Sequence, residues 1–153
     1  MDYSAFFERK TETVARDLLG RLLIRIGQKG SVGFEIAETG AYVGGEMTPQ
    51  REGMLYDAGK IFLMSHRGHH MLNIASGDNE GPACVEIRAV RDLSKIISGS
   101  AAVTNLLRIP AELDGFVLGE KSGLYVSDEK FRTGKIHTQK GDADNCIGIY
   151  TFV

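Results

Sequence analysis

The sequence predicts one α+β domain over residues 1–153, built on a curved, mostly antiparallel sheet with short flanking helices. Three observations carry this. A segment near the N-terminus repeats its apolar residues at helical spacing, whereas seven other runs are short and apolar or alternate as strands do. The runs are separated by glycine-rich and polar turns rather than by further long helices. No repeat, low-complexity tract or linker-like shift divides the chain, and 153 residues suffice to bury roughly 70% of the surface that the unfolded chain exposes.

In DYSAFFERKTETVARDLLG, Thr11 or Thr13 can cap a helix, Val14/Leu18 and Ala15/Leu19 form an i,i+4 apolar stripe, and Gly20 supplies the stop. RLLIRIG then alternates as a strand. QKGS turns it into a second strand at Val32, a hairpin being the simplest connection. In that second strand Val32, Phe34 and Ile36 sit at alternate positions, and the same alternation continues the inward row through Glu38, Gly40 and Tyr42. A row that passes from aliphatic side chains to a carboxylate, an empty position and an aromatic predicts a strand end that leaves the core and enters a pocket.

After Tyr42, VGGEMTPQREGMLYDAGK predicts a long loop, and long loops in compact domains are commonly functional. IFLMSH, HHMLNIAS and ACVEIRAV predict three strands, with the dense turn chemistry of SGDNEGP between the last two. AAVTNLLRIP predicts a short helix ended by Pro110, and GLYVSD and CIGIYTFV predict late strands.

The formal net charge of −2 and a pI near 6.1 argue against indiscriminate polyanion binding, although a local basic patch is compatible with them. Cys84 and Cys146 are far apart and form no CxxC, so free, buried thiols in a reducing compartment are expected. No apolar run approaches the roughly 20 residues of a membrane span, and the N-terminus lacks a signal-peptide apolar core. A soluble intracellular protein is expected, cytoplasmic, in the nucleoid or nuclear, with no membrane partner.

Several groups could carry chemistry. His66, His69 and His70 in SHRGHHML are potential zinc ligands. Their spacing is unlike HExxH, Gly68 implies a bend between two strands, and no carboxylate motif accompanies them. A polar strand tip at the surface or near nucleic acid is the favoured reading, with no metal. In ACVEIRAV, Val85, Ile87 and Ala89 share one face and Cys84, Glu86 and Arg88 the other. A Glu86–Arg88 surface ladder and an anion or phosphate contact by Arg88 are both open. Tyr42 alone reads as packing, and Asn73 as a strand-end hydrogen bonder.

Together the strings VARDLLGRLLIRI, EIAETGAYVG, TPQREGML, HHMLNIAS and PACVEIRAV, in that order, resemble the alkyladenine (3-methyladenine, methylpurine) DNA glycosylase family, over roughly residues 11 to 110. The resemblance implies a base-excision repair hydrolase. Such an enzyme flips a damaged purine out of duplex DNA into an aromatic-walled pocket and hydrolyses the N-glycosidic bond with an activated water, using no cofactor. A monomer with no obligate protein partner is expected. By the same resemblance Tyr42 stacks on the flipped base, Asn73 disfavours bases with an extra exocyclic amine, and Arg88 helps to hold the water and the nucleotide. The family's intercalating tyrosine falls near SHRGHH, where this chain offers His66 or Arg67, with His69 beside them, for contact with DNA.

The same resemblance marks departures. The family's general base falls on Gly40. A segment of about ten residues after Val43, with a pocket histidine, is missing, and a pocket tyrosine has become Met64. A positioned base is worth about 10²–10⁴-fold in rate. Its loss implies activity restricted to cationic lesions alkylated at N3 or N7, with Glu38, or Glu46 from the shortened loop, as a substitute carboxylate. Two alternatives stand beside this: a damaged-DNA or nucleotide-binding protein that kept the fold without the chemistry, and a metal-dependent hydrolase using the three histidines.

Overall fold

The computed structural model describes residues 1–141 and 143–153. Its N-terminal helical stretch is two helices, α1 (Tyr3–Phe7) and α2 (Thr11–Leu18). Asp2 caps α1 by accepting from the Ala5 amide at 3.1 Å. Neither Thr11 nor Thr13 caps α2. Thr11 is its first residue, and its amide and hydroxyl instead donate to Glu80 Oε1, at 2.7 and 2.9 Å, from a loop 69 residues away. A carboxylate at a helix N-terminus also meets the positive end of the helix dipole, so the distant residue does better than a local hydroxyl. The apolar stripe is as expected: Val14, Ala15, Leu18 and Leu19 are fully buried. Gly20 ends the helix at φ 83°, where a Cβ would overlap the Arg132 carbonyl.

Among the described residues nine strands follow: β1 (Arg21–Gly27), β2 (Gly30–Val43), β3 (Ile61–His66), β4 (His69–Ala75), β5 (Ala83–Asp92), β6 (Lys95–Ser98), β7 (Leu124–Lys130), β8 (Ile136–Gln139) and β9 (Cys146–Phe152). All pairings are antiparallel, in the order β3-β4-β5-β2-β1-β7, with β6 on β5 and β9 carrying β8 against β2. The 14-residue β2 is the axis of the sheet. Its first half pairs with β1; its second half lies between β5 and β9. One core underlies the sheet, with α1, α2 and α3 (Ser100–Leu106) packed against it. Both cysteines are free and buried, and among the described residues no helix is long and apolar enough to cross a membrane.

Three expectations are corrected. The loop after Tyr42 contains a 3₁₀ helix, Pro49–Leu55, whose Met54 is buried. The helix in AAVTNLLRIP ends at Leu106, before Pro110: Arg108 adopts φ 50°, which breaks the helix, and Pro110 caps the next short turn instead. The inward row of β2 does not run unbroken. Val32 is exposed, Ile36 is fully buried in the core, and the β2–β5 register shifts between Ile36 and Thr39. This bulge exchanges the faces. Thr39 and Ala41 take over the core side, with Thr39 Oγ1 donating to the Ala15 carbonyl of α2 at 2.7 Å. Glu38, Gly40 and Tyr42 are thereby turned to the opposite side of the sheet.

Candidate active site

The face that receives them is also the face of Cys84, Glu86 and Arg88. On β5, Val85, Ile87 and Ala89 are buried in the core, so their alternates point the other way. Cross-strand pairing then fixes one transverse row: Phe62 opposite Asn73, Asn73 opposite Glu86, Glu86 opposite Gly40. Cα atoms so paired lie about 4.5–5.5 Å apart, which brings four strands to one site. Over this row sits a second, smaller apolar cluster of Met54, Phe62 and Cys84, edged by Tyr42, Tyr56 and Met64.

The result is a cavity of about 260 Å³, near the small end of ligand pockets. Its apolar wall is Tyr42, Met54, Phe62, Met64, Met71 and Cys84; its polar side is Asn73, Glu86 and Arg88, with Arg51, Ala143 and Asn145 at the remaining edge. An apolar, aromatic-containing lining with a few convergent polar groups suits a planar, hydrogen-bonding ring.

The polar side is one network. Glu86 Oε1 accepts from the Tyr42 hydroxyl at 2.9 Å and from Arg88 Nη1 at 2.9 Å, and Glu86 Oε2 accepts from Ser100 Oγ at 2.7 Å. Arg88 Nη1 also reaches the Tyr42 oxygen at 3.2 Å, while its Nε donates to Glu38 Oε2 at 2.9 Å. The guanidinium thus spans two carboxylates, one on each strand. Burial, with the Glu86 charge beside it, pushes the Tyr42 phenol well above its ordinary pKa, although Arg88 opposes this. Burial, and then Glu86, push the Cys84 thiol up, so it is a packing group rather than a nucleophile. Asn73 is buried and held at both ends: Nδ2 donates to the Met71 carbonyl at 3.0 Å and Oδ1 accepts from Cys84 Sγ at 3.5 Å.

Gly40 leaves the space beside this network. A Cβ there would sit 3.1 Å from Arg88 Cδ, 3.2 Å from Tyr42 Cε2 and 3.6 Å from Glu86 Oε1. Of the carboxylates considered from sequence, Glu38 pairs with Arg88 but does not line the cavity. Glu46 is exposed in the loop, its carbonyl accepting from Arg51 at 3.1 Å. Glu86, weighed only as half of a surface ladder, lines the cavity with its side chain 13% exposed. Arg51, Phe62, Met71 and Asn145 were also missed. Their signal is register and loop packing, which lie outside any local pattern.

His66, Arg67 and His69 occupy the exposed tip of the β3–β4 hairpin, where Arg67 at φ 50° and Gly68 at φ 81° make a two-residue turn. Phe62, Met64 and His66 alternate on one strand and Asn73, Met71 and His69 on the other, in direct pairs. The tip therefore carries the cavity face outward. His70 turns to the other side, 3.3 Å from Ser65 Oγ. Among the described residues no group of three or more histidine, cysteine or acidic side chains is placed to hold a metal ion.

Comparison with known proteins finds relatives of one kind. Relatives bearing the name "Putative 3-methyladenine DNA glycosylase" include one from Psychrobacter cryohalolentis, 37% identical over 118 residues, or 66% of this chain and 53% of that protein. Another, from Borrelia garinii subsp. bavariensis, is 33% identical over 111 residues, 65% of this chain and 60% of that one. A third, from Methanocella arvoryzae, is 30% identical over 149 residues, covering 80% and 74%. The chain thus spans just over half the length of the first of these relatives and three fifths of the second. The sequence pattern of methylpurine-DNA glycosylases matches residues 5–150, further in both directions than the strings read from sequence, and the chain belongs to that family.

Proposed function

We propose that this protein is a DNA N-glycosylase of base-excision repair that releases alkylated purines from duplex DNA, with a preference for cationic lesions. The observation that supports this best is the cavity itself, whose lining brings Tyr42 and Asn73 together with a Glu86–Arg88 pair. A purine flipped into it stacks on Tyr42 and meets Asn73 with its edge, and its sugar faces the charged side. The tip residues His66, Arg67 and His69 contact the duplex as it opens. No cofactor, metal or protein partner is required, and the protein works as a monomer inside the cell.

The lesion preference follows from Gly40. Without a carboxylate at that position, assistance to the leaving group and to the cationic, oxocarbenium-like transition state is reduced. A purine alkylated at N3 or N7 already carries the charge that loosens its bond to the sugar. Hypoxanthine and ethenoadenine do not.

The test is single-turnover base release from duplexes carrying 7-methylguanine, 3-methyladenine, hypoxanthine or ethenoadenine. Release of the first two, and little of the others, is expected. No release of either cationic base by concentrated protein overturns the reading. Gly40 also favours a second reading, a damaged-DNA binder without turnover. Its signature is salt-sensitive affinity for a lesion-bearing duplex that survives with the base still attached.

A further inference from the structure

We infer that Glu86 is the catalytic carboxylate of this chain, so that the general base has moved from β2 to the facing position on β5. This rests on the glycosylase reading above. Gly40 and Glu86 are direct cross-strand partners, and Glu86 Oε1 lies 3.6 Å from the point where a Cβ of residue 40 would stand. A carboxylate rooted on β5 therefore reaches the space that a side chain on β2 would have entered. It does so because residue 40 has no side chain: the same Cβ would press on Arg88 Cδ and on the Tyr42 ring, the two groups that position Glu86.

The bonding of Glu86 fits the role. Three donors from three elements, Tyr42 on β2, Arg88 on β5 and Ser100 at the start of α3, orient the carboxylate. A carboxylate has about four acceptor positions. Among the described residues two donors reach Oε1 and one reaches Oε2, and the remaining position on Oε2 is the one we assign to the attacking water. Glu38 lacks this placement, since it lies outside the cavity lining and serves Arg88 from behind. Three donors also weaken Glu86 as a base, in keeping with a preference for lesions that need little help.

The step balances without a further reactant. The Glu86 carboxylate takes one proton from water as the water oxygen bonds to C1′ of the sugar. The C1′–N9 bond breaks with its electron pair going to the purine, which neutralises the positive charge of an alkylated base. The products are a protonated Glu86, an abasic sugar with a 1′-hydroxyl and the free neutral purine.

The experiment is single-turnover release of 7-methylguanine by the unaltered protein, Glu86→Gln and Glu86→Ala, beside their affinity for the same duplex and their thermal midpoints. Glu86→Gln is expected to slow release by about 10²–10³-fold with affinity almost unchanged, and added formate to restore part of the rate to Glu86→Ala. Should Glu86→Gln fail to fold, the formate response of Glu86→Ala and the rate of Glu86→Asp decide, a lack of response with near-normal Glu86→Asp and Glu86→Ala rates counting against the assignment. A Glu86→Gln rate within about threefold of the unaltered protein overturns the assignment and leaves the glycosylase reading intact. Absence of release by the unaltered protein, from any alkylated duplex, overturns both.

Discussion

The Tyr42 hydroxyl donates to Glu86 Oε1 at 2.9 Å, so the ring proposed to stack on the base and the carboxylate proposed to activate water hold each other in place. The pair bridges the neighbouring strands β2 and β5 at the cavity wall. Arg88, bonded to both, makes the contact a triangle.

Tyr42→Phe tests what the hydroxyl contributes apart from the ring. A hydrogen bond to a charged acceptor is worth about 1.5–3 kcal/mol, and the open cavity places this one at the lower end. A loss of about 1–2 kcal/mol in urea denaturation is expected, with affinity for damaged duplex largely kept. Tyr42→Ala also removes the stacking surface, worth about 1–3 kcal/mol per base, and binding should fall about 10- to 100-fold by titration. Equal affinity of the two variants would count against stacking.

Alkaline conditions probe Tyr42 in the cavity wall together with Tyr150 in the main core. Burial raises the pKa of Tyr42, and burial followed by the nearby Glu12 raises that of Tyr150 to about 12. Both phenols keep their protons in the folded state at pH values where the unfolded chain has lost them. The stability they contribute is complete below the unfolded value of 10.0 and is lost as the pH rises toward about 12. Urea midpoints should therefore fall across that window, and Tyr150→Phe should flatten the decline. A pH-independent midpoint there contradicts the burial argument.

What could be read directly from the sequence was whatever repeats locally. The stripe Val14, Ala15, Leu18 and Leu19 and the alternation of Val85, Ile87 and Ala89 each follow one element's own period, and each lies on the face expected. The four-residue strands β6 and β8 are too short to show a period. Counting by twos also failed across β2, because the register of β2 on β5 shifts at Ile36/Glu38 and again at Glu38/Thr39, an irregularity that leaves no mark in composition. Glu86 was visible as a residue but not as a partner of Gly40, since that pairing joins positions 46 apart and is set by the register of β2 on β5. The resemblance led to Tyr42, Asn73 and Arg88, which the structure brings to one cavity. A carboxylate arriving from another strand has no counterpart in such a comparison.

At the hairpin tip, Arg67 adopts φ 50°, a left-handed conformation that costs a residue with a Cβ roughly 1–2 kcal/mol. An arginine kept where glycine fits better is the pattern of a functional residue. Arg67→Gly should raise the thermal midpoint, or at least not lower it, while weakening duplex binding. If Arg67 meets a phosphate, the slope of log affinity against log salt should become shallower by about one. Unchanged affinity removes the tip from the DNA interface.

Asn73 offers a test of selectivity that leaves the carboxylate alone. Its amide is fixed by the Met71 carbonyl and Cys84 Sγ, so its edge toward the cavity cannot turn to suit a different base. Asn73→Ala removes that edge. Release of 7-methylguanine should gain relative to 3-methyladenine, because the base with the extra exocyclic amine loses its opponent. A discrimination of about 1 kcal/mol, near fivefold in the ratio of single-turnover rates, is the scale expected for one neutral hydrogen-bonding group. An unchanged ratio assigns Asn73 to packing.

The exchange of carboxylate between strands makes its sharpest prediction at Gly40. Gly40→Glu alone puts a Cβ against Arg88 and Tyr42 and a second negative charge close to Glu86. Crowding at such a position costs about 1–3 kcal/mol, and two adjacent carboxylates cannot both remain readily ionised. The single variant should therefore be less stable and release 7-methylguanine no faster. In a Glu86→Gln background the second charge is gone, and Gly40→Glu should recover about 10-fold or more of the lost rate. The two substitutions are then strongly non-additive, as expected of groups that share one task. A cycle of four proteins measured in single turnover reads this coupling directly. If Gly40→Glu changes the rate by the same factor whichever residue occupies position 86, the two positions act independently and the carboxylate has not changed strands.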